Sequence, residues 1–328
     1  MVKRRHNSLS RCLTEEPASA SEAEKRRVAS ASLLAAVLLT GLKIAVGLAT
    51  DSIGVLSEAA HSSLDLLAAA MTLWAVRASA RPADRRHPYG HGKIENFSAL
   101  FETGLLLATC AWIAYEAAKR LLFEEAHVAP TPWAFAILAA SIAVDVSRSR
   151  ALARAARKHN SQALEADALH FSTDVWSSSV VIAGLALVWL GRRCGLPWLV
   201  RADALAALGV AAVSLVVGLR LGKKSVDDLL DTAPAGLVES ITRSAAVAGV
   251  ISVIQVRVRR SGPHAFADVI IQVRRELSIE AAHEIAHACE HAIRITAGIA
   301  DVVVHAEPAD AENPSAPRAR VEITHPRP

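Results

Sequence analysis

The hydrophobic residues of this chain come in long runs, not in short alternating ones. The runs cover residues 28–50, 53–76, 97–122, 131–146, 163–190 and 199–221. Most reach the roughly 20 residues that cross a bilayer core of about 30 Å, and the fourth is shorter. The pattern predicts six transmembrane helices within residues 28–222. Residues 1–27 are charged and lack an apolar core, which predicts a disordered basic N-terminus without a cleavable signal sequence.

Past residue 222 the pattern changes. Residues 223–233 read as a polar hinge. A helix-period segment follows at 235–248, then a strand at 251–259, a turn at Ser261-Gly-Pro263, a strand at 267–274, a helix at 279–295 and a strand at 299–305. Ser278 is placed to cap the second of these helices. The order αββαβ over residues 234–308 predicts a small two-layer α/β domain. From 309 to 328 Pro, Ala, Glu and Arg dominate, a composition that predicts disorder.

Composition and charge refine this picture. Of 328 residues, 52% are hydrophobic and only 4% aromatic, so the runs are built from Ala, Leu and Val. A net charge of +4 raises the question of a nucleic-acid partner, and the placement of the charges answers it. Lys3, Arg4, Arg5, Lys25, Arg26 and Arg27 precede the first run. Arg77, Arg81, Arg85, Arg86 and Lys93 fill the second connection. Arg148, Arg150, Arg154, Arg157 and Lys158 fill the fourth, and Lys223 and Lys224 follow the sixth run. The first connection has neither Lys nor Arg. This alternation is the positive-inside signature, so the basic partner is a lipid bilayer and both termini are expected in the cytoplasm. Cys12, Cys110, Cys194 and Cys289 lack CxxC spacing and read as small hydrophobes.

Two of the runs carry charge. In Asp167-Ala-Leu-His170-Phe-Ser-Thr-Asp174 a helix places Asp167, His170 and Asp174 on one face, because residues three and four apart are neighbours. Glu58-Ala-Ala-His61-Ser-Ser-Leu-Asp65 repeats the pattern. Such groups in a membrane-length helix are costly unless they bind something. The expected orientation makes the second and fifth helices antiparallel. His61 and His170 then each lie about 12 Å from one end of their helices, near the bilayer midplane. His61, Asp65, His170 and Asp174 would offer two imidazoles and two carboxylates to one divalent ion. Four such ligands favour Zn²⁺, with Fe²⁺, Co²⁺ and Cd²⁺ as alternatives. The plainer reading is helix–helix contact, which usually employs Ser, Thr or Asn instead. Glu58 and Asp167, one turn back, are accessory acids.

Other positions carry weaker signals. Asp84, His87 and His91 in the second connection have ligand spacing for a metal at the membrane surface; solvated loop histidines are the alternative. Lys43 inside the first run is expected to snorkel toward an interface. Glu102, Asp145 and Asp203 read as interfacial. His283-Glu-Ile-Ala-His287 matches HExxH, the zinc-protease signature, but the small domain offers little room for a substrate cleft.

Three strings together carry a resemblance: Ser52-Ile-Gly-Val-Leu-Ser-Glu-Ala-Ala-His61-Ser-Ser-Leu-Asp65, His87-Pro-Tyr-Gly-His91-Gly-Lys-Ile-Glu95, and Ala166-Asp-Ala-Leu-His170-Phe-Ser-Thr-Asp174. In order and spacing they resemble the cation diffusion facilitator family, close to its bacterial zinc/proton antiporters, over residues 35–308. The resemblance implies an α-helical membrane protein of six transmembrane helices plus a C-terminal cytosolic ferredoxin-like domain. It implies a homodimer in the bacterial inner membrane, and a secondary active transporter rather than an enzyme. It assigns the transport site to His61, Asp65, His170 and Asp174, a second zinc site to Asp84, His87 and His91, and an interlock to Lys93 and Asp231. Similar proteins hold zinc in the cytosolic domain on four histidines and an acid. Here His283, His305 and Glu307 match, while Ile254 and Ile270 stand in two histidine positions, so the set is incomplete; His287 is a further donor one turn on. The expected function is Zn²⁺ efflux in exchange for protons. The alternatives are the same transport with Fe²⁺, Co²⁺ or Cd²⁺, and a metal-sensing partner protein that does not transport.

Overall fold

The structure, a computed structural model, describes residues 6–49, 53–123, 132–194, 199–297 and 299–309. The chain divides into two compact units, Met1–Val226 and Asp227–Pro328.

The first unit is built from long helices: α1 (His6–Ala49), α2 (Ile53–Ser79), α3 (Lys93–Phe123), α4 (Pro132–His159), α5 (Gln162–Cys194) and most of α6 (Leu199–Leu229). Among the described residues Ala20–Ala49, Ala59–Ser79 and Lys93–Lys119 are long and apolar enough to cross a membrane. Polarity in this unit is inverted relative to a water-soluble bundle. Leu34, Leu38, Leu42 and Leu48 on α1, Trp112 on α3, Trp176 on α5 and Leu219 on α6 are all exposed. Lys25, Lys43, Glu95, Glu102, Arg148, Asp167 and His170 are all buried. Apolar outside and ionisable inside is the arrangement a lipid solvent selects.

Close helix packing rests on small side chains. Around Phe171, a core of Ala29, Leu73, Ala75, Val76, Leu152, Ala155, Ala163, Leu164 and Ala168 joins α1, α2, α4 and α5. Alanines let helix backbones approach without a hydrophobic drive between them. A second cluster of Ala99, Ala166 and Leu221 brings α3, α5 and α6 together.

Three boundaries differ from the sequence reading. The basic N-terminus expected to be disordered over 1–27 is helical from His6 onward, continuous with the first apolar run. Residues 21–25 of it are held by a polar lock: Lys25 is 1% exposed and pairs with Glu95 of α3 at 3.0 Å and with Glu22 at 2.6 Å. Glu95 also accepts from Ser79 at 3.1 Å and from Ser161 at 2.5 Å. Ser21 bonds His159 at 2.7 Å, and Glu24 pairs with Lys158 at 2.6 Å. Second, the arginine-rich fourth connection is not a loop, because α4 continues to His159. It ends at Asn160 in the left-handed region (φ 49°), with the Ser161 N–H donating to Ala156 O, the bond that closes a Schellman-type end. Ser161 then caps α5, its Oγ accepting from the Leu164 N–H at 3.5 Å. Third, α6 runs on through Lys223 and Lys224, so the hinge expected at 223–233 begins only after Leu229. It closes the same way: the Asp231 N–H donates to Asp228 O, the Thr232 N–H donates to Asp227 O, and Asp231 takes φ 61°.

The second unit has the predicted order: α7 (Leu237–Ser244), β1 (Ser252–Ser261), β2 (His264–Val273), α8 (Ile279–Ala297) and β3 (Asp301–Pro308). Its sheet order is β1-β2-β3, with β1 and β2 antiparallel and β2 and β3 parallel. The β1–β2 hairpin turns on Gly262 (φ 60°), the sign of φ that a two-residue II′ turn needs at its first central position. Helix α8 starts as expected, Ser278 Oγ accepting from the Ala281 N–H at 3.2 Å. One face of the sheet and both helices bury Ile241, Val258, Val269, Ile271, Cys289, Ile293 and Val302. Gly249 takes φ 96°, a conformation that residues with a side chain rarely adopt, and a Cβ there would also push Ile285 Cδ1 aside, at 2.6 Å. Ala309, placed by the sequence reading in a disordered tail, extends β3: its N–H donates to Val273 O at 2.9 Å. Residues 310–328 of that tail lie outside the described residues.

Candidate metal centre

Helix α5 presents Asp167, His170 and Asp174 from successive turns, and α2 presents His61 and Asp65. The two helices pack together. His170 Nε2 lies 3.2 Å from Asp65 Oδ1 and 3.6 Å from Asp174 Oδ2. One ligand atom from each of these three residues falls within 4.8 Å of the others. His170 is 2% exposed, so the nitrogen faces the carboxylates in a space with little water. Three convergent donors of this type suit a borderline divalent cation. His61, the fourth expected ligand, is on α2 one turn from Asp65 but outside that three-residue cluster. It is still near enough to act electrostatically on both Asp65 and Asp174. Glu58 lies on the same helix; its side chain is outside the described ones.

Around this cluster is a shell of buried polar groups, two of which, Arg148 and Asp145, the sequence reading puts elsewhere. Asp167 is fully buried and its Oδ2 accepts from Ser32 Oγ at 3.3 Å. Arg148 is not in a loop but 7% exposed on α4. Its Nε and Nη2 reach Ser32 Oγ at 3.3 and 3.1 Å, and its Nη1 donates to Asp145 Oδ1 at 3.2 Å. Its guanidinium carbon lies 3.5 Å from the centre of the Phe171 ring. The Phe171 edge in turn meets the His170 ring, with centroids 5.5 Å apart. Asp145, expected at an interface, is therefore tied into the interior.

Two further expectations are corrected in the same way. Glu102 is 1% exposed, not interfacial, and its Oε1 accepts from Thr72 Oγ1 at 2.6 Å and Ser98 Oγ at 3.0 Å. Lys43 does not snorkel: it is 4% exposed and donates to Ser62 Oγ at 2.7 Å. The physical reason is common to both. A charge on a helix face that packs against other helices finds hydroxyls and opposite charges closer than the membrane surface. A linear sequence shows the charge but not which face is packed.

The second cluster lies in the segment between α2 and α3. Asp84 Oδ1 accepts from the backbone N–H of Arg86 at 2.8 Å and of His87 at 2.7 Å, an Asx-type turn. His87 Nδ1 is 3.2 Å from Asp84 Oδ1, and His91 Nε2 is 3.5 Å from Asp84 Oδ2. All three ligand atoms fall within 4.8 Å. The backbone N–H of His87 above all, then that of Arg86, hold the Asp84 carboxyl below its ordinary range. It is thus kept ionised, as a metal ligand must be.

The expected third site is not assembled within the chain. His305 Nε2 and Glu307 Oε1 are 3.8 Å apart on β3, while His283 on α8 pairs with His287 instead. Ile270 is the cross-strand partner of His305, and Ile254 falls in the irregular register between Val253 and Gln255. Where a histidine at 270 would stand beside His305, there is an apolar side chain. Lys93 opens α3 in the first unit and Asp231 follows α6 in the second. Asp203 lies on α6, its side chain outside the described ones.

Comparison with known proteins agrees with this organisation. Residues 29–230 match the family described as cation efflux transmembrane domain, and residues 237–309 match the cation efflux protein cytoplasmic domain. The chain is 32% identical over 284 residues to the cation-efflux pump FieF of Cronobacter sakazakii, covering 86% of this chain and 92% of that protein. It is 32% identical over 291 residues to the FieF of Yersinia pestis, covering 87% and 92%. Among solved structures, a MamM CTD in its copper form is 33% identical over 25% of this chain and 82% of its own, with a TM-score of 0.24. With a full-length relative above 30% identity and family matches across both units, the chain belongs to the cation diffusion facilitator family of cation-efflux proteins.

Proposed function

We propose that the protein exports Zn²⁺ from the cytoplasm in exchange for protons, as a homodimer in the bacterial inner membrane with both termini cytoplasmic. The observation that carries this reading is the convergence of Asp65 from α2 with His170 and Asp174 from α5 around the buried His170 imidazole. Metal needs neutral imidazole and ionised carboxylate, so the cation and protons compete for the same atoms. Facing the cytoplasm, the site gives up protons to Zn²⁺. Facing outward, it is reprotonated and the ion leaves. His61 completes the ligand set by a rotation of its side chain one turn from Asp65. Alternating exposure of a midplane site needs only that each state prefers one occupant.

Asp84, His87 and His91 hold a second zinc ion at the cytoplasmic membrane surface. His283, His305 and Glu307 lack two of the histidines that a full cytosolic site would use, so any ion there draws on fewer protein ligands.

The test is metal-stimulated proton flux in sealed vesicles, with Zn²⁺, Fe²⁺, Co²⁺ and Cd²⁺ supplied in turn. Zinc-dependent alkalinisation or acidification that collapses in Asp174→Ala supports the reading. Metal movement without any coupled proton movement removes the antiport, and no movement of any of the four ions removes transport.

A further inference from the structure

Two buried glutamates share α3, and their surroundings differ. Glu95 has a cation and two hydroxyls: Lys25 and Ser79 on Oε1, and Ser161 on Oε2. Glu102 has no cation partner among the described residues. Its two donors, Thr72 and Ser98, are hydroxyls, and both lie on Oε1. Thr72 also has Ala68 O within 3.2 Å, so its single proton is divided between two acceptors. Oε2 is buried with no hydrogen-bond partner. An ionised carboxylate spreads its donors over two equivalent oxygens. A carboxylic acid accepts on its carbonyl oxygen and carries the proton on the other. Glu102 has the second pattern. A buried carboxylate without a counter-charge is costly, and taking up a proton removes that cost.

The neighbours of Glu102 make that proton responsive. α2, α5 and α6 all meet α3 here. α2 contributes Thr72, and α6 contributes Leu221 and Gly222, which carry no charge. The ionisable groups that act on Glu102 are Asp167 and His170, both on α5. Asp167 accepts from Ser32, which also binds the Arg148 guanidinium. Its negative charge therefore has support that Glu102 lacks. Where two acids lie close together, the less supported one stays neutral. His170 is the imidazole whose Nε2 faces Asp65 and Asp174. A dication held there becomes the largest local charge and reverses the balance for nearby acids. Glu102 is outside that ligand group, so it feels the ion without touching it.

We propose that Glu102 is a proton-carrying residue of the exchange, a neutral acid before the dication reaches Asp65, His170 and Asp174 and a carboxylate after it. The Oε2–H bond breaks, its electron pair stays on the carboxylate, and the proton passes to water. When the ion leaves, the step runs in reverse. The protein thus sheds a proton from an atom that never binds metal, in addition to those its ligands shed. This rests on the reading of that cluster as the transport site.

The experiment titrates full-length, detergent-solubilised protein carrying His87→Ala with Zn²⁺ in buffers of different ionisation heat, which counts protons released per ion. Asp174→Ala in the same background identifies zinc bound elsewhere. Glu102→Gln cannot ionise. It should release about one proton fewer per ion, so that log affinity climbs less steeply with pH. Its affinity should fall about 10-fold at neutral pH and meet the parent's at acid pH, where Glu102 stays protonated throughout. Glu102→Asp should restore the count. A role in packing or ligand support alone would lower affinity evenly across pH with the count unchanged, and that result overturns the proposal. Zinc-induced infrared difference spectra of the parent need no folded variant. Zinc should remove a protonated-carboxyl C=O band that shifts in Glu102→Asp, and the absence of any such band also overturns the proposal. If Asp174→Ala binds zinc like its parent, the transport-site reading falls and this one with it. An intact site with an unchanged proton count removes Glu102 alone.

Discussion

His170 Nε2 stands 3.2 Å from Asp65 Oδ1, joining α5 to α2 through a bond between a buried imidazole and a half-buried carboxylate. Residues 105 positions apart in sequence thus share one small space, and Asp174 closes its third side. Removing a direct ligand should cost more than the roughly 10–100-fold typical of outer-shell partners. Asp65→Ala and Asp174→Ala are each expected to lower zinc flux more than about 100-fold, with expression and oligomeric state unchanged. Vesicle flux paired with size-exclusion chromatography checks this; residual flux near the parent's would remove these carboxylates from the pathway.

Glu102 is the least expected member of the polar shell. Its Oε2 is buried without a hydrogen-bond partner, while Oε1 holds Thr72 and Ser98. Glu102→Gln keeps an acceptor for both hydroxyls and removes only the charge. The expected outcome is a folded protein with zinc flux lowered about 10-fold, the scale of losing a group that supports a metal ligand without touching the ion. Glu102→Leu also strands the Ser98 hydroxyl, at about 1–3 kcal/mol, while Thr72 keeps Ala68 O as an acceptor, and should lower the thermal melt as well. Equal melts for the two variants would contradict the hydrogen-bond assignment.

The Lys25–Glu95 pair is buried at both ends, with side chains 1% and 0% exposed. Removing one partner leaves a charge without its counterpart, and Lys25→Met should destabilise by about 3–5 kcal/mol. Replacing both, Lys25→Met with Glu95→Met, should recover part of that loss, because no fully buried charge is left unpaired; Glu22 loses its partner but is 25% exposed, and Ser161 loses its acceptor. Melting of the solubilised protein measures the cycle; additive single losses would mean the pair does not interact.

In the segment between α2 and α3, Asp84 has two jobs: it caps the turn through the Arg86 and His87 N–H groups, and it faces both histidines. Asp84→Asn retains the capping oxygen and loses the charge. We expect the turn to persist and one zinc ion per protomer to be lost, read by equilibrium dialysis. Because the fold depresses the Asp84 pKa, its stabilisation is present above the unfolded value, near 3.9, and disappears as pH falls through the lower folded value.

Cys289 is buried against Ala245 O at 3.6 Å, and burial pushes its thiol pKa up to about 11. The sign is opposite to that of Asp84. The fold favours the neutral thiol, so stability is full below the unfolded value of about 8.5 and is lost as pH rises from there toward the folded one. Melting of the parent should fall more steeply across this window than melting of Cys289→Ala. Identical slopes would show that the thiol does not couple to folding.

Much of this protein was legible before any coordinates. The apolar run lengths marked the long helices, and the alternation of residues 251–305 marked the αββαβ domain. The spacing of Asp167, His170 and Asp174, and of His61 and Asp65, put the metal-type donors on single helix faces, since helix periodicity is a property of the local backbone. Spacing also marked Asp84, His87 and His91, which the Asx turn then gathers. The interior of the bundle was not legible. Arg148, Glu102, Lys43 and Lys25 look from sequence like loop, interface or tail charges, and all four are buried. Periodicity reveals that a charge lies on a face, but not which helix covers that face. Only the packing of α1 to α5 decides it, because the partners that make burial tolerable (Ser32, Thr72, Ser62 and the Glu95 carboxylate among them) come from distant parts of the chain.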